Sequence, residues 1–322
     1  MTAVTTASPP DFAVHGDYAP PPGAYRRERD LTTLVYPIDD RVTDDSSSAF
    51  TAEPGRYHLY VCHYCPWAQR PLIALKLRGL DGVVTWSAVD PVRDGRGWAF
   101  REGDGHAADP VNGFAFLREA YLATDPTFDG HISVPALWDR STGRLVSNHY
   151  PTLTADLETE FRAFADPAVE LYPATRRDEI DACNTDIVRD VAGATYGAMS
   201  ARTQERYDTI VANTERALAS YDSLLADRRY LLGEVLTDAD LLLYVNLVRF
   251  DLIGVRLARF ARRLVDYPNL WAYARSLYQQ PAFGSTTDFE HIRRGNFRTP
   301  LGGPNRILAP LPFADWHAPH RR

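Results

Sequence analysis

The run of residues 57–68 places a cysteine and a proline between two segments of different pattern. Residues 57–62 alternate and are rich in β-forming side chains, which predicts a strand. Residues 66–79 then show a helical pattern that opens with proline and closes with glycine. Pro71 lies inside this pattern and predicts a kink. The chain is therefore expected to pass from a strand into a helix through Cys65.

Cys65 directly precedes Pro66, which places it at the N-cap of the predicted helix. The start of a helix presents unpaired N–H groups and a partial positive charge, and both stabilise a thiolate. Because the thiolate is the attacking form of cysteine, we predict that Cys65 is the nucleophile of a thiol-handling enzyme. Cys62 forms a C-x-x-C pair with it, but Ala68 stands one turn into the helix, which favours a monothiol mechanism.

The pattern over residues 51–165 predicts an α/β domain with the order βαβαββα, typical of a thioredoxin fold. Its further elements are predicted as a strand at 83–89, a helix at 114–123, a hairpin from 133–138 and 144–147, and a helix from about Pro151. Val134-Pro135 opens the hairpin, and we predict a cis bond there. Such a bond would expose the backbone of Val134 to a peptide-like thiol.

Residues 176–300 are helical in pattern and predict an all-α domain. A long amphipathic stretch covers 201–226, and Thr237 with Asp240 forms a capping box before an apolar helix at 241–253. Residues 1–50 are rich in Pro, Ser, Thr and Asp, which predicts an extended N-terminal arm, and 301–322 form a C-terminal tail.

Composition argues against several classes of partner. The net charge of −7 gives no support to binding of nucleic acid or anionic membrane, and no apolar run is long enough for a membrane span. No signal peptide is visible, and three cysteines suit a reducing compartment, so we expect a cytoplasmic protein. The nine histidines show no metal-ligand spacing, so no metal site is predicted.

Several short motifs occur together in a recognisable order. They are 53–61 (EPGRYHLYV), 65–68 (CPWA), 97–100 (GWAF), 134–139 (VPALWD), 229–234 (RYLLGE), 247–251 (LVRFD) and 266–271 (DYPNLW). On these motifs the sequence resembles the glutathionyl-hydroquinone reductases, also called xi-class glutathione transferases. The resemblance implies the glutathione transferase fold, a thioredoxin-like domain followed by a helical bundle, and a homodimer.

The resemblance also implies a reaction. In this family a cysteine attacks the sulfur of a glutathionyl-hydroquinone, the hydroquinone leaves, and a second thiol resolves the mixed disulfide. Tyr196 matches a family tyrosine that holds the quinol oxygen. The expected thiol-binding residues on the matching motifs are Trp67, Trp98, Val134 and Pro135.

The sequence departs from the family at the thiol site. The family's Glu-Ser pair for the γ-glutamyl end of glutathione aligns with His149 and Tyr150, and an arginine aligns with His131. A family tyrosine is also missing from 291–297. Loss of a paired charge in a partly buried site costs about 2–5 kcal/mol of binding. This favours mycothiol, a neutral sugar–cysteine conjugate, over glutathione as the co-substrate bound by these residues, unless Asp156 or Glu158 supplies the missing acid.

Two alternative hypotheses for the function remain open. The chain could be a thiol transferase or lyase that acts on a specialised metabolite, with Cys65 orienting the thiol. It could also be a non-catalytic binding protein that has the glutathione transferase fold.

Overall fold

The computed structural model describes residues 6–19, 36–45, 47–299, 305–311 and 314–322. Its strands are β1 Val42–Thr43, β2 Phe50–Thr51, β3 Tyr57–Val61, β4 Val84–Ala88, β5 Ala136–Asp139 and β6 Arg144–Ser147. Its helices are α1 Phe12–His15, α2 Pro66–Leu77, α3 Arg118–Thr124, α4 Tyr150–Thr159, α5 Arg177–Ile187, α6 Ala194–Met199, α7 Gln204–Leu224, α8 Asp238–Arg249, α9 Pro268–Tyr278, α10 Pro281–Gly284 and α11 Phe289–Phe297.

The chain divides into two compact units. Of the described residues, the first contains 6–19, 36–45, 47–169, 288–299 and 305–309, and the second contains 170–287, 310–311 and 314–322. Helix α11 thus belongs to the first unit, whereas the predicted helical domain runs to residue 300. The described part of the predicted arm is more regular than expected, since it holds α1 and the paired strands β1 and β2. Residues 20–35 of that arm lie outside the described residues.

The first unit is built on a four-stranded mixed sheet with the order β4-β3-β5-β6. Strand β3 pairs in parallel with β4 and antiparallel with β5, and β5 forms an antiparallel hairpin with β6. All five residues of β3 are buried, which is typical of a strand covered on both faces. This confirms the thioredoxin-like α/β domain and places Cys65 just beyond the end of an inner, buried strand of the sheet.

One predicted helix is wrong in its first turn. We expected a helix at 114–123, but α3 begins at Arg118. The N–H of Phe114 donates to the carboxylate of Asp109 (3.1 Å), and the N–H of Phe116 donates to that of Glu119 (2.8 Å). Side-chain acceptors therefore satisfy these backbone donors without a helical turn.

The second unit is helical, as predicted. Its long amphipathic helix is α7, and α8 begins at the predicted capping box, where the carboxylate of Asp240 accepts from the backbone N–H of Thr237 (2.9 Å). The apolar helix predicted for 241–253 is continuous only to Arg249, because residues 250–255 form a wider π-helical turn.

Candidate functional site

Cys65 lies between the end of β3 and the first residue of α2. It is the N-cap residue of α2 in an extended conformation (φ −82°, ψ 119°), and its carbonyl accepts from the N–H of Gln69 (3.1 Å). Its Sγ lies 3.6 Å from the carbonyl oxygen of Val134, to which the thiol can donate. Only 9% of the residue is exposed, so α2 and the segment before β5 together fix the sulfur.

The Val134-Pro135 bond is cis, as predicted. The loop in front of it is held from within the first unit. The hydroxyl of Tyr121 donates to the carbonyl of Ser133 (2.8 Å), and the amide of Asn148 donates to the Ser133 hydroxyl (3.0 Å). These contacts hold the segment in front of Val134, and with it the carbonyl that faces the Cys65 sulfur.

Cys62 is placed differently from Cys65. It follows β3 directly and is fully buried, and its carbonyl accepts from the N–H of Cys65 (2.9 Å). Burial raises the pKa of the Cys62 thiol well above its ordinary value. The Cys62 thiol is therefore protonated at neutral pH, which supports a mechanism with one working cysteine.

His149 and Tyr150 stand at the start of α4. His149 is the N-cap residue, its Nδ1 lies 2.9 Å from the hydroxyl of Thr152, and burial lowers its pKa. The ring of Tyr150 lies 4.6 Å from that of Trp67 and 5.9 Å from that of Tyr36, centroid to centroid. This end of the site is thus lined by aromatic and neutral groups.

His131 belongs to the same unit and is also neutral. Its Nδ1 lies 2.8 Å from the hydroxyl of Tyr18. Burial, together with the nearby positive charge of Arg93, lowers the pKa of His131 to about 4. At neutral pH His131 therefore brings no positive charge to the site.

Four neighbours of these residues were not found from the sequence. They are Tyr18, Tyr36, Tyr64 and Arg93. The guanidinium carbon of Arg93 lies 4.0 Å from the ring centre of Trp98 and 4.3 Å from that of Tyr18. Its Nη2 donates to the hydroxyl of Tyr64 (2.9 Å). The position of Tyr64 beside Cys65 was a usable signal, whereas the arm and loop residues gave none.

Tyr196 lies on α6 in the second unit and is partly exposed. Its proposed contact with a quinol oxygen stays a prediction. Across the described ranges, no group of three or more His, Cys, Asp or Glu side chains could hold a metal ion. Nor does any helix in the same ranges have both the length and the apolar character needed to cross a membrane.

Comparison with known proteins identifies the protein family to which this chain belongs. Residues 204–276 match the model of the glutathione S-transferase C-terminal domain. The glutathionyl-hydroquinone reductase YqjG of Escherichia coli is 37% identical over 279 residues, which are 86% of this chain and 85% of that protein. The chain belongs to the glutathionyl-hydroquinone reductase family.

Solved structures of the family agree with this assignment. The glutathione-bound structure of YqjG superposes with a TM-score of 0.85 at 36% identity and covers 88% of this chain and 96% of that one. A xi-class glutathione transferase from Natrialba magadii gives 0.84 at 38% identity, covering 88% and 90%. The chain is thus an enzyme of the glutathionyl-hydroquinone reductase family, a xi-class glutathione transferase with the thioredoxin-like and helical parts of that fold.

Proposed function

We propose that the enzyme removes a low-molecular-weight thiol from an aromatic or quinone-type S-conjugate through a mixed disulfide on Cys65. The observation that carries the proposal is the placement of the Cys65 sulfur at the start of α2, 3.6 Å from the carbonyl of Val134 beside a cis proline. Cys62 is buried and protonated, which leaves Cys65 as the working thiol of the pair. The activity named for the Escherichia coli relative supports the class of conjugate.

The proposed reaction has two steps. The Cys65 thiolate attacks the conjugate sulfur, a disulfide bond forms, and the sulfur–carbon bond breaks. The electron pair of that bond stays with the ring carbon, which takes up a proton to give the hydroquinone, and Tyr196 holds a quinol oxygen. A second thiolate then attacks the mixed disulfide, which releases the disulfide of the small thiol and frees Cys65.

We propose mycothiol as the thiol, in preference to glutathione. Neither His149 nor Tyr150 offers a carboxylate to an ammonium group. Asp156 does not replace one, because Arg41 and the N–H of Val42 (3.0 Å) already bind its carboxylate. Stacked aromatic rings such as those of Tyr150 and Trp67 suit a sugar, and mycothiol has no free ammonium.

Mass spectrometry of the protein during turnover tests this proposal. The enzyme is incubated with mycothiol and glutathione conjugates of the same hydroquinone, and the Cys65 peptide is analysed after quenching. We expect a mixed disulfide on Cys65, formed faster from the mycothiol conjugate, and no turnover by Cys65→Ala. Turnover without an adduct would instead favour a transferase or lyase in which Cys65 only orients the thiol.

We also propose that the enzyme is a homodimer and works in the cytoplasm. None of its three cysteines forms a disulfide bond with another, which suits a reducing compartment. Size-exclusion chromatography with light scattering measures the oligomeric state, and a monomer at micromolar concentration would contradict the dimer.

A further inference from the structure

Arg93 is a partly buried cation in the first unit, and no acid of the described residues neutralises its charge. Its guanidinium stacks between Trp98 and Tyr18, and one of its N–H groups donates to Tyr64. Within the described ranges, no carboxylate lies at ion-pair distance from it and Nε has no acceptor. An unpaired charge away from bulk water is costly unless an anion forms nearby.

Among the described groups around Arg93, none supplies an unpaired negative charge at neutral pH. His131 is neutral, and burial raises the pKa of Tyr64 to about 12. Cys62 is protonated, and the nearby Asp90 carboxylate is paired with Arg101 (2.8 Å).

His63, two residues before Cys65, packs instead against the rings of Trp86 and His291. The remaining ionisable groups in this set are the Tyr18 phenol and the Cys65 thiol, and a thiol ordinarily ionises at a lower pH than a phenol, about 8.5 against about 10. Tyr64 connects this thiol to Arg93, because its hydroxyl accepts a hydrogen bond from the guanidinium (2.9 Å) and it directly precedes Cys65 in the chain.

We propose that Arg93 is a positioning residue whose fixed positive charge stabilises the Cys65 thiolate. The inference rests on Cys65 being the nucleophile of the proposed function. The rings of Trp98 and Tyr18 hold the guanidinium in place, and the hydrogen bond to Tyr64 sets its orientation relative to the start of α2. The charge then adds to the partial positive charge of the helix N-terminus, so two sources of positive potential act on one sulfur.

The test measures alkylation of Cys65 by iodoacetamide without substrate, from about pH 5 to pH 10, because alkylation follows the thiolate fraction. Peptide mass spectrometry separates Cys65 from Cys62 and Cys183. In Arg93→Met we expect the midpoint to move by about one pH unit toward alkaline, with alkylation at neutral pH about tenfold slower. Arg93→Lys keeps the charge and should restore most of the rate.

Arg144→Met is the matched control. Arg144 begins β6 of the hairpin, and its side chain is exposed and paired with Asp40. It should leave the alkylation profile unchanged. Circular dichroism and thermal unfolding establish that each variant is folded. An unshifted profile in folded Arg93→Met overturns the proposal, and so does an equal shift in Arg93→Lys. An unchanged profile with a raised KM for the conjugate would assign the cation to the co-substrate instead.

Because the assay contains no conjugate, its result does not depend on the reaction. Turnover retained by Cys65→Ala would remove the proposed function, whereas the alkylation profile would still report on Arg93. A mixed disulfide on Cys65 together with an unshifted profile would remove only the role of Arg93.

Discussion

The ring of Tyr150 lies 4.6 Å from the ring of Trp67, with an interplanar angle of 33°. The contact joins the first residue of α4 to the first turn of α2, immediately after the cysteine. A pair of tilted aromatic rings therefore lies at the place where the resemblance implies an acid and a serine. We propose that the chemistry at this place determines which thiol can be held next to Cys65.

Replacing this pair should improve glutathione binding. In the double variant His149→Glu, Tyr150→Ser, a carboxylate becomes available to the glutathione ammonium, and a hydroxyl at the start of α4 can bind its carboxylate. We expect at least a tenfold lower Kd for glutathione and weaker binding of mycothiol, which loses the ring of Tyr150. Isothermal titration calorimetry with both thiols measures the two changes.

His149→Gln, Tyr150→Ser is the control for this exchange, because it makes similar space without adding a charge. It should not improve glutathione binding. If the wild-type enzyme already binds glutathione more tightly than mycothiol, another residue supplies the acid and the preference that we propose is wrong.

Cys62→Ala tests the monothiol mechanism. The Cys62 thiol is fully buried and protonated, so its removal should change turnover less than about twofold, and the small cavity should cost about 1 kcal/mol of unfolding free energy. Steady-state kinetics and urea denaturation measure the two effects. A loss as complete as that of Cys65→Ala would show that the pair works as a dithiol.

The sequence was most informative where structure is local. The strand and the cysteine at the helix cap follow from short patterns of proline and β-forming residues, the cis bond before Pro135 is predicted from the fold, and the structure has all three. Arg93 and Tyr18 are 75 residues apart in sequence and meet only because the arm folds onto the loop before Trp98. Side-chain packing over such a separation leaves no periodic signal in the sequence.

A different, local reason explains why the helix predicted for 114–123 begins only at Arg118. Residues 114–117 are a continuous apolar run before α3, and the carboxylates of Asp109 and Glu119 take up the backbone N–H groups there. Capture of this kind depends on where an acidic side chain points, and its spacing alone does not show that.

Gly295 on α11 should be coupled to Tyr64. A Cβ at this position would lie 2.3 Å from the Tyr64 ring and 2.9 Å from the Tyr64 Cβ, so Gly295→Ala must displace the residue that precedes Cys65. We expect a loss of about 1–3 kcal/mol in the free energy of unfolding, despite the better helix propensity of alanine. Chemical denaturation measures this change.

The double-mutant cycle with Tyr64→Ala isolates the contact. With the ring removed, Gly295→Ala should be neutral or stabilising by up to about 1 kcal/mol, as expected for an ordinary helical position. Additive effects of the two substitutions would mean that α11 and the cysteine loop are not in the contact that the structure shows.

His58 should make the stability of the enzyme fall as the pH is lowered. It is 1% exposed on β3, and its ring nitrogens lie 2.7 Å from the hydroxyl of Thr85 and 2.9 Å from that of Ser87. Burial, with a smaller effect of the positive charge of Arg140, lowers the pKa of His58 to about 3, whereas an unfolded histidine titrates near 6.5. Between these values the unfolded chain binds the extra proton, so acid favours unfolding.

The stability contributed by neutral His58 is fully present above about pH 6.5 and is lost as the pH falls toward 3. From pH 6.5 to pH 5 the expected loss is about 2 kcal/mol in the free energy of unfolding. Urea denaturation at a series of pH values measures the slope. His58→Gln can keep a hydrogen bond to Thr85 but cannot titrate in this range. Between pH 6.5 and pH 5 its free energy of unfolding should therefore fall by about 2 kcal/mol less than that of the wild-type enzyme. An identical slope in the two proteins would show that His58 is not the group responsible.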